Sequence, residues 1–216
     1  SLSGFEAALP YYWNIAPDMD ATLTPRYLSK RGVQLQGEYR YLEPNYHGTD
    51  SIEYLPNDDI TGRNRDYENL NHQQVFGHGW SGGFHFEHVS DDQYFSDLST
   101  HIIVTSQVNL SQQAHINYAG NVWQFNGLVQ KFQTLDGVSY PYERLPDLTL
   151  NGNKDWGPGN ADIKTQWVKF DRSNVAPLTV TEPNGAILTT AVTGERFNAY
   201  PSFTVPLPRP YGYITP

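Results

Sequence analysis

Cysteine is absent from the 216 residues, which removes structural disulfides, thiolate zinc sites and cysteine nucleophiles from consideration. Positive charge is scarce: 14 Lys and Arg stand against 23 Asp and Glu, a formal net charge of −9. No basic run with interleaved aromatic residues occurs, so the electrostatic footprint of a nucleic-acid binder is missing. No stretch nears the roughly 18 consecutive apolar residues that a transmembrane helix needs, and the mean hydropathy is −0.58. That average does not exclude a membrane, because a transmembrane β-barrel alternates lipid-facing apolar residues with lumen-facing polar ones and averages low. The opening Ser1-Leu2-Ser3-Gly4-Phe5 has no basic or long apolar region, so any secretory signal is expected to have been removed or to lie outside this sequence.

Aromatic residues are abundant, at 14% with 15 Tyr, and Gly and Pro contribute 18 and 15 residues. That mix favours strands and turns over helices. Periodicity agrees. Val33, Leu35, Gly37, Tyr39 and Tyr41 alternate with Gln34, Gln36, Glu38 and Arg40, the pattern of a strand with one apolar and one polar face. Met19, Ala21, Leu23, Pro25 and Tyr27 alternate with Asp20, Thr22, Thr24 and Arg26, and Ser29-Lys30-Arg31-Gly32 links the two runs. This predicts a hairpin placing Leu23, Val33, Leu35 and Tyr39 on one face. The pattern returns at Trp80 to Glu87, at Trp123 to Gly127, at Ala114 to Tyr118, at Ala161 to Phe170 and, interrupted by Pro, at Phe197 to Leu207.

The sequence therefore predicts an all-β fold of about ten antiparallel, hairpin-linked strands. Residues 43–50, 57–67, 152–160 and 173–194 are rich in Asn, Asp, Gly, Pro and Thr and read as loops. Asp91 to Leu98 is compatible with one helical turn, and no internal repeat is evident.

Candidate chemistry is sparse. His72, His78, His85, His88 and His101 crowd one third of the chain with Glu87, Asp91 and Asp92. On a strand, however, His85 and Glu87 share a face that His88 does not, so the group does not converge on a metal. The pairs Asp58-Asp59 and Asp91-Asp92 invite comparison with glycosidase carboxylates, which stand about 5–10 Å apart across a cleft; adjacent loop acids carry no such guarantee. No nucleophile elbow, phosphate-cradling glycine loop or zinc-protease helix motif is present. Neither catalytic residues, a metal nor a cofactor is expected. The Tyr and Trp residues have two readings, as sugar-stacking platforms of a carbohydrate-binding sandwich or as aromatic girdles at membrane interfaces.

The stretch Leu9-Pro10-Tyr11-Tyr12-Trp13-Asn14-Ile15-Ala16-Pro17-Asp18-Met19-Asp20-Ala21-Thr22-Leu23-Thr24-Pro25-Arg26-Tyr27, continued by Arg31-Gly32 and Glu38-Tyr39-Arg40-Tyr41-Leu42, resembles the opening of the barrel in the lipopolysaccharide-assembly family LptD, also called OstA or organic solvent tolerance protein. Weaker echoes lie at Tyr94-Phe95-Ser96-Asp97 and at Pro201 to Pro208. The resemblance implies that residues 1–216 form the N-terminal portion of an outer-membrane β-barrel of about 26 strands. The periplasmic β-jellyroll and the C-terminal strands of the family would lie elsewhere, and this portion would not close on its own.

The resemblance also implies a function, which is to insert lipopolysaccharide (LPS) into the outer leaflet of the bacterial outer membrane. Gln34, Gln36, Glu38 and Arg40 would line a polar lumen, while Val33, Leu35, Tyr39 and Tyr41 would face lipid. The family's exit is a lateral gate between its first and last strands, and Pro10 and Pro25 match its seam-weakening prolines. Read from the residues alone, Pro10 starts a strand and Pro25 marks a bulge equally well. The implied partners are LPS, a lipoprotein plug (LptE), the periplasmic bridge protein LptA reached through the jellyroll, and membrane lipids. Two competing classes stay open on residue pattern: a secreted carbohydrate-binding β-sandwich or glycosidase, and another outer-membrane barrel such as a porin or receptor. A sandwich buries its apolar face against a second sheet, whereas a barrel leaves it outward.

Overall fold

The computed structural model describes residues 3–98, 108–135, 140–172, 178–181, 187–190, 193–209 and 212–214. It is almost entirely antiparallel strand. In chain order these are β1 (Glu6–Ala8), β2 (Tyr11–Ala16), β3 (Met19–Leu28), β4 (Gly32–Leu42), β5 (Tyr46–Leu55), β6 (Arg65–Gly77), β7 (Trp80–Val89), β8 (Asn109–Ala119), β9 (Trp123–Thr134), β10 (Glu143–Trp156), β11 (Gly159–Asp171), β12 (Leu178–Thr181), β13 (Ile187–Thr190), β14 (Gly194–Thr204), β15 (Leu207–Arg209) and β16 (Gly212–Ile214). Among the described residues there is one helix, α1 (Tyr94–Leu98), which falls inside the segment read as a helical turn.

Twelve strands form one sheet in the order β1-β3-β4-β5-β6-β7-β8-β9-β10-β11-β14, with β2 also paired to β3. From β2 to β11 sequential neighbours pair, the simplest antiparallel topology, while β1 pairs with β3 and β11 with β14. The order is open: among the described residues no pairing joins its two ends, so the sheet does not close into a barrel. Strands β3 to β11 run 10 to 14 residues, at or above the roughly 9–11 residues that cross a bilayer.

Several expectations change. Among the described residues the sheet holds twelve strands where about ten were expected, and two short hairpins add four more. Residues 43–50 and 152–160, read as loops, are mostly strand: β5 begins at Tyr46, and β10 runs to Trp156 before a tight turn at Gly157 and Pro158. Asn and Asp are poor strand formers in isolation, but here they fill a polar sheet face and bond across it; Asn160 Nδ2, for instance, donates to Asp155 Oδ1 at 2.8 Å. Within 173–194, β12 pairs with β13 as a separate hairpin. Arg65 to Tyr67, read as the end of a loop, opens β6. Pro146 sits where the register of β10 slips between Arg144 and Asp147, and Pro201 lies in β14, the last strand of the sheet, positions that proline tolerates.

By internal contacts the chain divides into two units. The first comprises residues 1–75, 83–114 and 132–141. Its core is small: Leu28, Leu55, Val89, Leu110 and Leu135 pack with Tyr94, Phe95 and Leu98 of α1, and Tyr67 adds its ring. The second comprises residues 76–82, 115–131 and 142–216. Its strands β10, β11 and β14 lie in continuous register, Leu148 opposing Trp167 and Trp167 opposing Phe197.

Candidate functional site

The functional geometry follows from strand parity. Pairing of β3 with β4 sets Tyr27 opposite Val33, Pro25 opposite Leu35, Leu23 opposite Gly37 and Ala21 opposite Tyr39. Leu23, Val33, Leu35 and Tyr39 therefore share a face with Tyr41, and Gln34, Gln36, Glu38 and Arg40 share the other. The β4–β5 register extends the apolar face to Ile52 and Tyr54. Nothing covers it among the described residues of the first unit: Val33 and Leu35 are 53% and 51% exposed, and Tyr11, Trp13, Leu23, Tyr27, Ile52 and Tyr54 are exposed as well. Tyr39 and Tyr41 are half-buried among other rings, with centroids 5.5 Å apart. In the second unit the same kind of face presents Trp123, Leu150, Trp167, Phe197 and Phe203, all exposed.

Aromatic residues mark both ends of the strands. At the short-turn end of the first unit, Tyr41 packs against Tyr46 and His72, and His72 stacks on Phe84. Within the second unit, Trp80 lies 5.0 Å from Tyr118 and Trp156 lies 5.0 Å from Phe203, beside that unit's own short turns. At the opposite end Tyr27 and Tyr54 stand exposed in the first unit, while Tyr142 meets Phe170 edge-on in the second.

The polar face is organised by α1. Arg26 Nη1 donates to Leu98 O at 2.7 Å and to Gln34 Oε1 at 2.9 Å, while Arg26 Nε donates to Glu6 Oε1 at 2.7 Å. Gln34 Nε2 donates to Glu53 and to the Tyr94 hydroxyl, which itself donates to Glu53 Oε2 at 2.7 Å. Gln34 is thus wholly buried beneath the helix. Gln36 is half-buried, and Glu38 and Arg40 are exposed. Arg40 holds Asp20 through two bonds of 2.8 and 2.9 Å, beside a polar recess that includes Thr49, Asn71 and Gln73.

Sequence reasoning missed the charge cluster that fixes α1. Arg31 and Arg65, each 2% exposed, flank the fully buried Asp58 at 2.6 and 3.2 Å. Arg65 also reaches Asp97 and Asp91, both at 2.8 Å, and Arg31 reaches Asp97 at 3.2 Å. Burial pushes the Asp58 carboxyl up, but the Ile60 amide and the two guanidinium groups outweigh it and hold the carboxyl below its ordinary value. Burial drives the Tyr94 hydroxyl far above its usual range, and the Glu53 carboxylate adds to the effect. The acids read as loop carboxylates, Asp58 and Asp91, are structural; the signal available was the Arg31 and Arg65 spacing across successive turns.

The histidines disperse. His72 accepts or donates one bond with the Tyr41 hydroxyl at 2.7 Å, His78 sits at positive φ in a turn, His88 stacks with Phe86, and His101 lies outside the described residues. Among the described residues no three His, Asp or Glu side chains converge as a metal site.

Pro10 and Pro25 come together at the first edge of the sheet. Ala8 opposes Arg26 and Tyr11 opposes Leu23, so β1 and β2 are one strand in one register, broken at Leu9 and Pro10. That register puts Leu9 opposite Pro25 and Pro10 opposite Thr24. The Leu9 amide donates to Pro25 O at 3.1 Å, which makes this a hydrogen-bonded pair. Its return bond is missing, because Pro25 has no N–H. Pairs alternate along an antiparallel ladder, so the backbone groups of Ala8, Pro10, Tyr12 and Asn14 point away from β3 toward the open edge. The two prolines therefore do different things. Pro25 deletes a rung between the first strand and β3, and Pro10 deletes a donor from the free edge.

Comparison with known proteins places this geometry. The family model described as "LptD: LPS transport system D" matches residues 63–216. The LPS-assembly protein LptD of Aromatoleum aromaticum is 41% identical over 99% of this chain and 26% of its own length. Proteins of the same name from Nitrosomonas eutropha and Bordetella pertussis are each 38% identical over 100% of the chain, covering 29% and 27% of their lengths. The chain thus spans little more than a quarter of these relatives. The opening motif from Leu9 to Leu42 lies outside the family-model match but inside the alignments to the relatives, and together these matches establish that the chain belongs to the LptD family of LPS-assembly proteins.

Proposed function

We propose that this chain forms the opening strands of an outer-membrane translocon that passes LPS through a polar lumen and releases it sideways through a seam at the first strand. The observation that carries the reading is the uncovered apolar face of the sheet, rimmed with aromatic rings at both strand ends and backed by a polar face. Such a face is stable against hydrocarbon and unstable against water, since each fully buried Leu or Val side chain is worth roughly 1.5–3 kcal/mol. A carbohydrate-binding sandwich would spend that face on a second sheet. Here the packed core among the described residues of the first unit lies on the other side, under α1.

The lumen solves the problem of the anionic sugar head, whose unsatisfied polar groups cost several kcal/mol each in hydrocarbon. Gln36, Glu38 and Arg40 offer it hydrogen bonds and mixed charge, while Val33, Leu35, Tyr39 and Tyr41 meet lipid. The acyl chains belong in the bilayer and leave through the wall where it is weakest. That is the edge carrying Pro10, next to the rung that Pro25 removes. No nucleotide-binding motif is present in the sequence, so energy comes from outside the chain, through a periplasmic bridge of the LptA kind. A lipoprotein plug of the LptE kind would occupy part of the polar face. Localisation follows as the bacterial outer membrane.

The test is photo-crosslinking in cells that depend on the full-length protein. A photoreactive residue at Tyr12, on the open edge, is expected to form adducts with LPS while export runs and to lose them when the energy supply is cut. Correctly assembled protein that yields no LPS adduct at Tyr12 or Asn14 under export would refute the seam.

A further inference from the structure

Strand parity in the second unit brings small residues together on its apolar face. Trp123 opposes Gly152, Gly152 opposes Ile163, and Ile163 opposes Pro201; one rung on, Lys154 opposes Ala161 and Ala161 opposes Phe203. Gly152 has no side chain, and the Trp123 ring lies over it, where a Cβ would strike the ring. The result is a trough of about 820 Å³. Its floor is Ala161 and Pro201, one wall is Trp123, whose ring covers Gly152, and the other is Phe203 with Trp156 against it. A volume of this size suits a ligand of drug-like bulk. One charge interrupts the apolar surface. Lys154 is exposed and makes no ion pair among the described residues. The nearby carboxylates of Asp155 and Asp162 sit on the opposite face, held by Asn160 and Asn153. Lys154 lies close to the turn at Gly157, beside Trp156, at the depth where cationic and aromatic side chains meet a membrane surface.

We propose that this trough is a binding site for an anionic glycerophospholipid of the surrounding leaflet, with an acyl chain on the Ala161–Pro201 floor against the Trp123 ring and the phosphate at the Lys154 ammonium. The site rests on the reading of this face as lipid-facing. It adds to that reading a position on this face that selects a headgroup. A bare apolar trough would take any acyl chain; the lysine at its mouth selects charge. A single lysine near an anionic surface is worth about a fivefold preference, equivalent to about 1 kcal/mol at 1.4 kcal/mol per factor of ten.

The experiment uses the full-length protein in proteoliposomes of equal phosphatidylcholine and phosphatidylglycerol with matched acyl chains. A benzophenone side chain replaces Trp123 at the trough wall or, as a reference, Leu35 on the apolar face of the first unit. The Trp123 probe is expected to crosslink phosphatidylglycerol about fivefold more than phosphatidylcholine, and the Leu35 probe to crosslink both alike. Lys154→Gln should bring the Trp123 ratio to about one, Lys154→Arg should keep it, and Ala161→Leu should lower both adducts at Trp123 while leaving Leu35 unchanged. Equal adducts at Trp123 with native Lys154, or a preference that survives Lys154→Gln, overturns the site while the lipid-facing reading stands. Failure of Leu35 to crosslink either lipid overturns the reading itself and the site with it.

Discussion

Restoring the two missing backbone donors one at a time separates the two prolines. In Pro25→Ala the new amide faces Leu9 O and completes the pair whose first bond, Leu9 N–H to Pro25 O, already spans 3.1 Å. In Pro10→Ala the new amide points to the open edge and gains a partner only when a closing strand arrives. A net hydrogen bond contributes about 0.5–1.5 kcal/mol, which shifts an opening equilibrium by about twofold to twelvefold, and more at membrane depth where the alternative is an unsatisfied group. Loss of the proline ring works the other way, adding roughly 0.4–1 kcal/mol of unfolded-chain entropy per site. Global stability is therefore a blunt readout, and local exchange is the sensitive one. By hydrogen exchange on the full-length protein, Pro25→Ala should slow exchange at the Leu9 amide and show a protected new amide at 25, with little change in LPS export. Pro10→Ala should slow export, and the double substitution should slow it further and admit large antibiotics through a defective outer membrane. If the double variant assembles, gains the protection and still exports LPS normally, the prolines are strand punctuation and the seam argument fails.

Three further outcomes follow from the structure. Asp58→Asn leaves two buried guanidinium groups without their shared carboxylate. Breaking such a pair costs roughly 3–5 kcal/mol, and because Asp91 and Asp97 still hold Arg65, the loss should sit at or below the low end. It should appear as faster proteolysis within 58–65 and 94–98, and unchanged cleavage there would contradict the latch. The same cluster sets an acid limit: Asp58 is held below its ordinary value of 3.8, so its contribution is complete above that pH and is lost as pH falls below it. Exchange of α1, corrected for intrinsic rate, should therefore be flat from neutral pH down to about 5 and rise only in stronger acid; loosening near pH 6 would contradict it. Gly48→Ala drives a methyl group into the Tyr41 ring and the Asn71 carbonyl, and overpacking of this kind costs about 1–3 kcal/mol. A melting temperature equal to that of the parent would refute the packing assigned to Tyr41.

Legibility in the sequence tracked how cleanly the two faces alternate. β3 and β4 were readable because Val33 to Tyr41 keeps strict period two, and the hairpin register followed from the short link at Ser29 to Gly32. β10 was read partly as loop because Asn151, Asn153 and Asp155 lower strand propensity, yet on a wide sheet they need only a polar face and a neighbour such as Asn160. The resemblance singled out Pro10 and Pro25, but their separate roles were invisible without the ladder, since which way an amide points depends on which pair is hydrogen-bonded. The burial of Gln34 was equally hidden, because it depends on α1 folding back from sixty residues away.

The central claim, that one face of this sheet meets lipid and the other a polar lumen, is tested most directly by scanning a photoreactive residue along β4 of the full-length protein in the outer membrane. Adducts with acyl lipid should appear at Val33, Leu35 and Tyr39 and drop out at Gln36, Glu38 and Arg40, a strict alternation. Lipid adducts at the even positions, or equal yields along the strand, would contradict the account.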